Sequence, residues 1–349
     1  MKVSGARRIV ICEDSGTHAK ALGEFLDRDP GLEVVGDFRT AEAMLPELQR
    51  LDPDLITIDL EMPGMGGGRA VERIMRDHPT PILIVTGAGE GSQSVEVAEA
   101  LAAGALEVVP KASLRLTDRD DVWAAAFRSR IKRLASVRLG TRARRRAATR
   151  TPDTPAVDTR AARAVGLGAS TGGPPALSVV LGALPPDFSL PLLVVQHMAP
   201  GFRRGLVEWL QARVPPPVRL ATHGARAEPG VWFAPDDAYL RLDASMRFTL
   251  DRDSHVGSHR PSLDVLLESI AGATGDGAVG VVLTGMGRDG AAGVEAVRGA
   301  RGLVIAQDEA TSAVFGMPRA AIEAGADVVL PLEEVGKALR SLRAAAVKP

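Results

Sequence analysis

A disulfide framework is excluded at once. Among 349 residues the only cysteine is Cys12, so no pair can close within the chain and a reducing compartment fits. Cys12 ends the apolar run IVIC, where a small buried group is the expected role rather than chemistry. Long hydrophobic runs are missing as well. No stretch approaches the roughly 20 apolar residues of a membrane span, so membrane insertion is not expected. The opening MKVSGARR leads into four apolar residues and then acids, too short a pattern for a secretory leader. Neither sign of charge is in excess. A formal net charge of −1 argues neither for nor against nucleic acid, because distribution matters more than the sum; no nucleic-acid partner is expected. These absences leave a soluble, cytoplasmic protein as the expectation.

What is present is alternation. The length favours two domains over one core, and the first third interleaves RRIVIC, LEVVGDF, DLITIDL, PILIVTG and LEVVP with HAKALGEFLDR, AEAMLPELQRL, RAVERIMRDH and SVEVAEALAAG. The first set reads as buried strands. The second carries apolar residues at three-and-four spacing, the mark of amphipathic helices. DDVWAAAFRSRIKRL adds a fifth helix, with Trp123, Phe127, Ile131 and Leu134 on one stripe. The pattern stops at Arg138. A stretch rich in Arg, Thr, Pro and Ala follows, and its run Arg144-Arg145-Arg146 reads either as a charged flexible joint or as a grip on an acidic surface. Alternation then resumes with AVGLGAS, LPLLVVQH, VRLATH, AVGVVLTG and RGLVIAQ as strands, and a hairpin is expected around Asp243-Ala244-Ser245. The fold class is therefore α/β, with two doubly wound parallel-sheet domains. Their expected limits are 1–137 and 161–349, with 138–160 as the basic linker.

Sites in such sheets form at the carboxyl ends of strands. In the first domain Glu13 and Asp14 follow the first strand, Asp59 the third, Thr86 the fourth and Lys111 the fifth. Three carboxylates on one rim repel unless a cation joins them, and hard oxygen donors suit Mg²⁺. A hydroxyl and an ammonium beside them can hold phosphoryl oxygens. The expectation is that Asp59 accepts a phosphoryl group beside Mg²⁺. These residues resemble a two-component receiver domain, with IDLEMPGMGG close to its phosphoacceptor signature. The resemblance implies that Glu13 and Asp14 are the acidic pair, Thr86 the switch hydroxyl and Lys111 the phosphate-contacting lysine. Two positions depart from it: Ala112 stands where proline usually follows the lysine, and Val108 where an aromatic switch residue is usual.

In the second domain GLGASTGGPPAL sets Ser170 between glycines at a strand end. G-x-S-x-G alone is a weak signal. However, His197 follows the next strand and Asp289 a further one, so a nucleophile, a base and an orienting carboxylate share one rim. The order Ser, His, Asp disfavours the α/β-hydrolase fold. Oxyanion donors could come from Thr171 and Gly172 or from Met286 and Gly287. His255 and His259 do not make a zinc pair, since Gly257 and Pro261 disfavour a helix there and no third ligand is evident. Met198, Met286 and Met317 could line a groove or simply pack a core.

The blocks GASTGGPPAL, QHMAPGF, HRPSLDVLL, LTGMGRDGAAG and QDEATSAVFGMPRAAIEAG are similar to the catalytic domain of the chemotaxis protein-glutamate methylesterase (CheB) family. The resemblance implies hydrolysis of glutamate methyl esters on methylated chemoreceptors, usually with deamidation of receptor glutamines and with no cofactor in the catalytic domain. It implies a Ser170, His197 and Asp289 triad with an oxyanion contribution from Met286. It also implies a receiver that inhibits the esterase until a chemotaxis histidine kinase supplies a phosphoryl group. Tyr239 departs from the family's usual histidine. Two rivals are a phosphorylation-driven binding module without catalysis, which the intact triad opposes, and a general small-molecule esterase, which the fused receiver opposes.

Overall fold

Each of the five apolar runs of the first third becomes a strand: β1 (Arg7–Cys12), β2 (Leu32–Phe38), β3 (Leu55–Ile58), β4 (Ile82–Thr86) and β5 (Glu107–Pro110). They pair in parallel in the order β2-β1-β3-β4-β5. The middle strands β3 and β4 are buried at every residue, as strands covered on both faces must be. The computed structural model describes residues 5–87, 92–116, 121–139, 161–257 and 259–344. Its chain divides into two compact units, Met1–Leu139 and Gly140–Pro349. Residues 140–160, including the triple-arginine run, lie outside the described residues.

The helices of the first unit are α1 (Gly16–Asp27), α2 (Ala41–Met44), α3 (Leu48–Leu51), α4 (Gly66–Asp77), α5 (Ser92–Ala103) and α6 (Asp121–Leu134). The single helix expected over AEAMLPELQRL is split, because Pro46 cannot donate a backbone hydrogen bond; a 3₁₀ turn at Leu45–Glu47 separates α2 from α3. On α6 the stripe is as expected. Phe127, Ile131 and Leu134 are buried, and Trp123 stacks on Phe127 with centroids 5.3 Å apart. Strand order reverses between β1 and β3, which opens a crevice at their carboxyl ends.

The second unit holds a seven-stranded parallel sheet: β7 (Ala164–Ala169), β8 (Pro191–Gln196), β9 (Val218–Leu220), β10 (Gly230–Phe233), β13 (Ala278–Val282), β14 (Leu303–Gln307) and β15 (Val328–Leu330). Their order is β15-β14-β13-β7-β8-β10-β9. The expected hairpin is present as β11 (Tyr239–Leu242) and β12 (Phe248–Asp251), paired antiparallel. A short parallel pair joins β6 (Ala161–Ala162) to β16 (Arg343–Ala344). Two sheet strands exceed the five expected from sequence. GVWF and VVL are runs of four and three residues, too short to show a period, yet GVWF lies between β8 and β9.

Helices α7 (Gly173–Gly182), α8 (Arg203–Gln211), α9 (Leu263–Thr274), α10 (Ala291–Gly299), α11 (Met317–Glu323) and α12 (Leu332–Ser341) complete the unit. The central strands β7, β8 and β13 are buried throughout. The chain runs outwards from β7 through β8 and returns to β7's other side through β13. The turn after β7 therefore faces the sheet's switch point.

Candidate functional site

Ser170, His197 and Asp289 follow β7, β8 and β13, the three central strands. Register fixes the first two, since Ala169 pairs with Gln196 and His197 N–H donates to Ala169 O at 2.9 Å. Ser170 N–H donates to Thr284 O at 3.0 Å, tying the serine turn to the end of β13. His197 Nε2 stands 2.7 Å from Asp289 Oδ2, with side chains 10% and 6% exposed. Both ring nitrogens are buried; Nε2 faces the carboxylate, and Nδ1 has no polar partner.

Asp289 is held by the first turn of α9. Leu263 N–H donates to Oδ2 at 2.7 Å, and Ser262 Oγ and Asp264 N–H donate to Oδ1 at 2.7 and 3.2 Å. Ser262 also caps that helix by accepting from Val265 N–H. Burial opposes ionisation of Asp289, but His197 and these donors outweigh it and hold the carboxyl well below its ordinary value. The exchange is reciprocal. Asp264, on α9, accepts from Gly290 and Gly293 N–H at 2.9 and 2.8 Å, at the start of α10. Each acid therefore serves the helix that the other precedes or begins.

Several participants escaped the sequence reading. His259, considered there only as a zinc ligand, lies flat on His197 with centroids 4.5 Å apart and planes 12° apart. Tyr239, the departure from the family pattern, fixes the loop that carries it: its hydroxyl donates to Val256 O at 2.7 Å and accepts from Val256 N–H at 3.0 Å. Thr284 Oγ1 donates to Thr171 O at 3.0 Å, bracing the turn behind the serine. A Cβ on Gly285 would lie 2.8 Å from Ser170 Cβ, so the backbone leading to Met286 passes against the serine. Met286 is half-buried, whereas Met317 is core.

Residues 165–339 match the family model for CheB methylesterase, and residues 9–117 match the response regulator receiver domain. A relative from Myxococcus xanthus strain DK1622, named protein-glutamate methylesterase/protein-glutamine glutaminase 4, is 40% identical over 340 residues, covering 96% of each chain. The chain belongs to the CheB methylesterase family. A further relative, protein-glutamate methylesterase/protein-glutamine glutaminase 2 of Anaeromyxobacter dehalogenans strain 2CP-C, is 42% identical over 346 residues, again 96% of each chain. Among solved structures, the Thermotoga maritima CheB methylesterase catalytic domain is 39% identical and superposes with a TM-score of 0.50, covering 52% of this chain and 98% of its own.

The second rim of a CheB-family chain is the receiver's, and here its acids are together. Oxygens of Glu13, Asp14 and Asp59 lie within 4.8 Å of one another. Lys111 Nζ bridges two of them, 2.8 Å from Glu13 Oε1 and 2.6 Å from Asp59 Oδ2. Burial would raise the Glu13 pKa, but His18, Lys111 and the Ser15 N–H lower it to about 2. Burial likewise works against the Lys111 charge, and the two carboxylates overcome it, leaving the ammonium above its ordinary value. Thr86 pairs with Pro110 in the β4–β5 register, so it and Lys111 leave neighbouring strand ends. Thr86 is fully buried and Val108 nearly so. No described helix is long and apolar enough to cross a membrane.

Proposed function

We propose that the chain hydrolyses glutamate methyl esters on chemoreceptors, and deamidates receptor glutamines, under control of its receiver. The observation that carries this reading is His197 Nε2 2.7 Å from Asp289 Oδ2, beside Ser170 on the adjoining strand end. With Nε2 towards the carboxylate, Nδ1 is the nitrogen left to take the Ser170 proton. Ser170 Oγ attacks the ester carbonyl, and the tetrahedral oxyanion is met by backbone N–H groups, with Met286 and Thr171 as the candidates beside the serine. His197 returns the proton to the departing methanol, or to ammonia when the substrate is glutamine. Water, deprotonated by His197, then cleaves the acyl-serine and releases the glutamate. Asp289 stays ionised and stabilises the imidazolium in both halves.

In the receiver, Asp59 is the proposed phosphoacceptor, with a chemotaxis histidine kinase as donor. The three clustered carboxylates are hard oxygen donors of the kind Mg²⁺ takes, so the residues fit that ion. Asp14 and Asp59 would hold it with support from Glu13, and when bound it supplies positive charge to the phosphoryl oxygens. Lys111 and Thr86 would receive those oxygens. The proposed limits are 1–137 for the receiver, 138–160 for the linker and 161–349 for the esterase. Ser170→Ala should lower methanol release from methylated receptor by about 10⁴-fold or more while leaving the fold intact. Retention of more than a few per cent of the rate would remove Ser170 from the role.

A further inference from the structure

Gln196 is the last residue of β8, and only 2% of it is exposed. Its Nε2 donates to Ser170 O at 2.9 Å and to His197 O at 2.8 Å. One side-chain amide thus ties the proposed nucleophile to the proposed base across the β7–β8 boundary. The tie is braced from behind. Gln196 O accepts from Arg203 Nη2 at 3.1 Å, and Arg203, itself 2% exposed, pairs with Asp236. Asp236 also accepts from Gly201 N–H at 3.1 Å, pinning the far end of the QHMAPG loop.

Room for the amide exists because Gly173 has no side chain; a Cβ there would lie 1.9 Å from Gln196 Oε1. That oxygen is buried without a partner, a cost that an apolar residue of the same shape would avoid. Ser170 O has a second donor, Gly173 N–H at 2.8 Å, so both of its acceptor positions are taken. In a trans peptide the carbonyl and the next N–H point in opposite directions. The groups that hold Ser170 O therefore also aim the N–H of Thr171, the residue after the nucleophile.

We propose that Gln196 is a positioning residue of the esterase, aligning the Ser170–Thr171 peptide and the His197 backbone for attack and oxyanion binding. The proposal rests on the reading of Ser170 as nucleophile. The test uses the full-length chain with phosphodonor and Mg²⁺, and measures methanol release together with covalent labelling of Ser170 by a fluorophosphonate. Gln196→Met should lower kcat by about 10²-fold with KM within about twofold, and slow labelling to a similar degree. Gln196→Glu has the same shape, and its buried carboxyl faces two carbonyl oxygens. It should recover activity at low pH, where the neutral acid donates one hydrogen bond, and lose it as pH rises. A folded Gln196→Met chain with wild-type kcat overturns the proposal. If Gln196→Met does not fold, a Gln196→Glu pH profile parallel to wild type overturns it instead. Absence of wild-type labelling at Ser170 would instead overturn the reading of the serine.

Discussion

Asp264 and Asp289 share a corner, and their surroundings push them in opposite directions. Asp289 is held ionised by His197 and by the α9 turn, whereas burial, followed by the neighbouring Asp289 charge, raises the Asp264 pKa. A carboxyl whose folded pKa is raised costs nothing below its unfolded pKa, where both states are neutral. The cost grows as pH rises and is complete above the folded pKa. Asp264→Asn keeps an oxygen for the Gly290 and Gly293 N–H groups and removes the charge. It should therefore be as stable as wild type near pH 4 and more stable at pH 8, by on the order of 1 kcal/mol. Urea midpoints at pH 4, 6 and 8 measure this, and a difference independent of pH would assign the effect to packing. Asp59→Asn belongs to the same scale: the amide cannot form an acyl phosphate, so labelling by a phosphodonor should vanish while the receiver stays folded. Arg203→Leu removes both the donor to Gln196 O and the buried partner of Asp236, so stability and methanol release should fall together. A loss of about 3 kcal/mol in denaturant unfolding is expected.

At the level of elements, the contact between β7 and α9 holds much of the site together. Glycines on β7 let α9 approach, and a Cβ on Gly168 would lie 2.1 Å from Leu263 Cδ2. Leu263 N–H is also a donor to Asp289. Gly168→Ala should therefore act twice, destabilising by about 1–3 kcal/mol through overpacking and lowering methanol release by displacing the Asp289 support. Thermal melts and turnover on the same preparation read both effects. The strand itself was legible, since AVGLGAS is apolar and ends in a turn. So were the rims, because a parallel sheet puts Ser170, His197 and Asp289 at successive carboxyl ends. What lay above them was not legible. Ser262 and Asp264 reach Asp289 across more than twenty residues of chain, and no local period announces such an exchange. Gln196 reads as one more strand residue, and nothing nearby in the sequence says that its amide bonds back to the serine turn. Pro46, by contrast, was visible and its helix break could have been expected.

For the whole molecule, the fusion of a receiver to an esterase predicts a chain whose rate depends on an aspartate of the other unit. Deleting residues 1–150 should give a fragment that releases methanol faster than the unphosphorylated full-length chain and ignores phosphodonor. A folded but slower fragment would make the receiver an activator or a recruiter. Cys12 offers a second way to watch the same dependence. It lies in β1, 1% exposed, with Sγ 3.6 Å from Met62 Sδ, and burial followed by the Glu13 charge pushes its thiol up to about 12. At pH 8 it is neutral and shielded, so a thiol reagent reaches it only when the five-stranded sheet opens. Because it is the chain's only thiol, labelling becomes a clock for that one sheet inside the intact protein, whatever the esterase is doing. With Mg²⁺ and a phosphodonor acting at the Asp59 cluster as proposed, mass action should slow the clock in proportion to their occupancy. Asp59→Asn should make it indifferent to the phosphodonor.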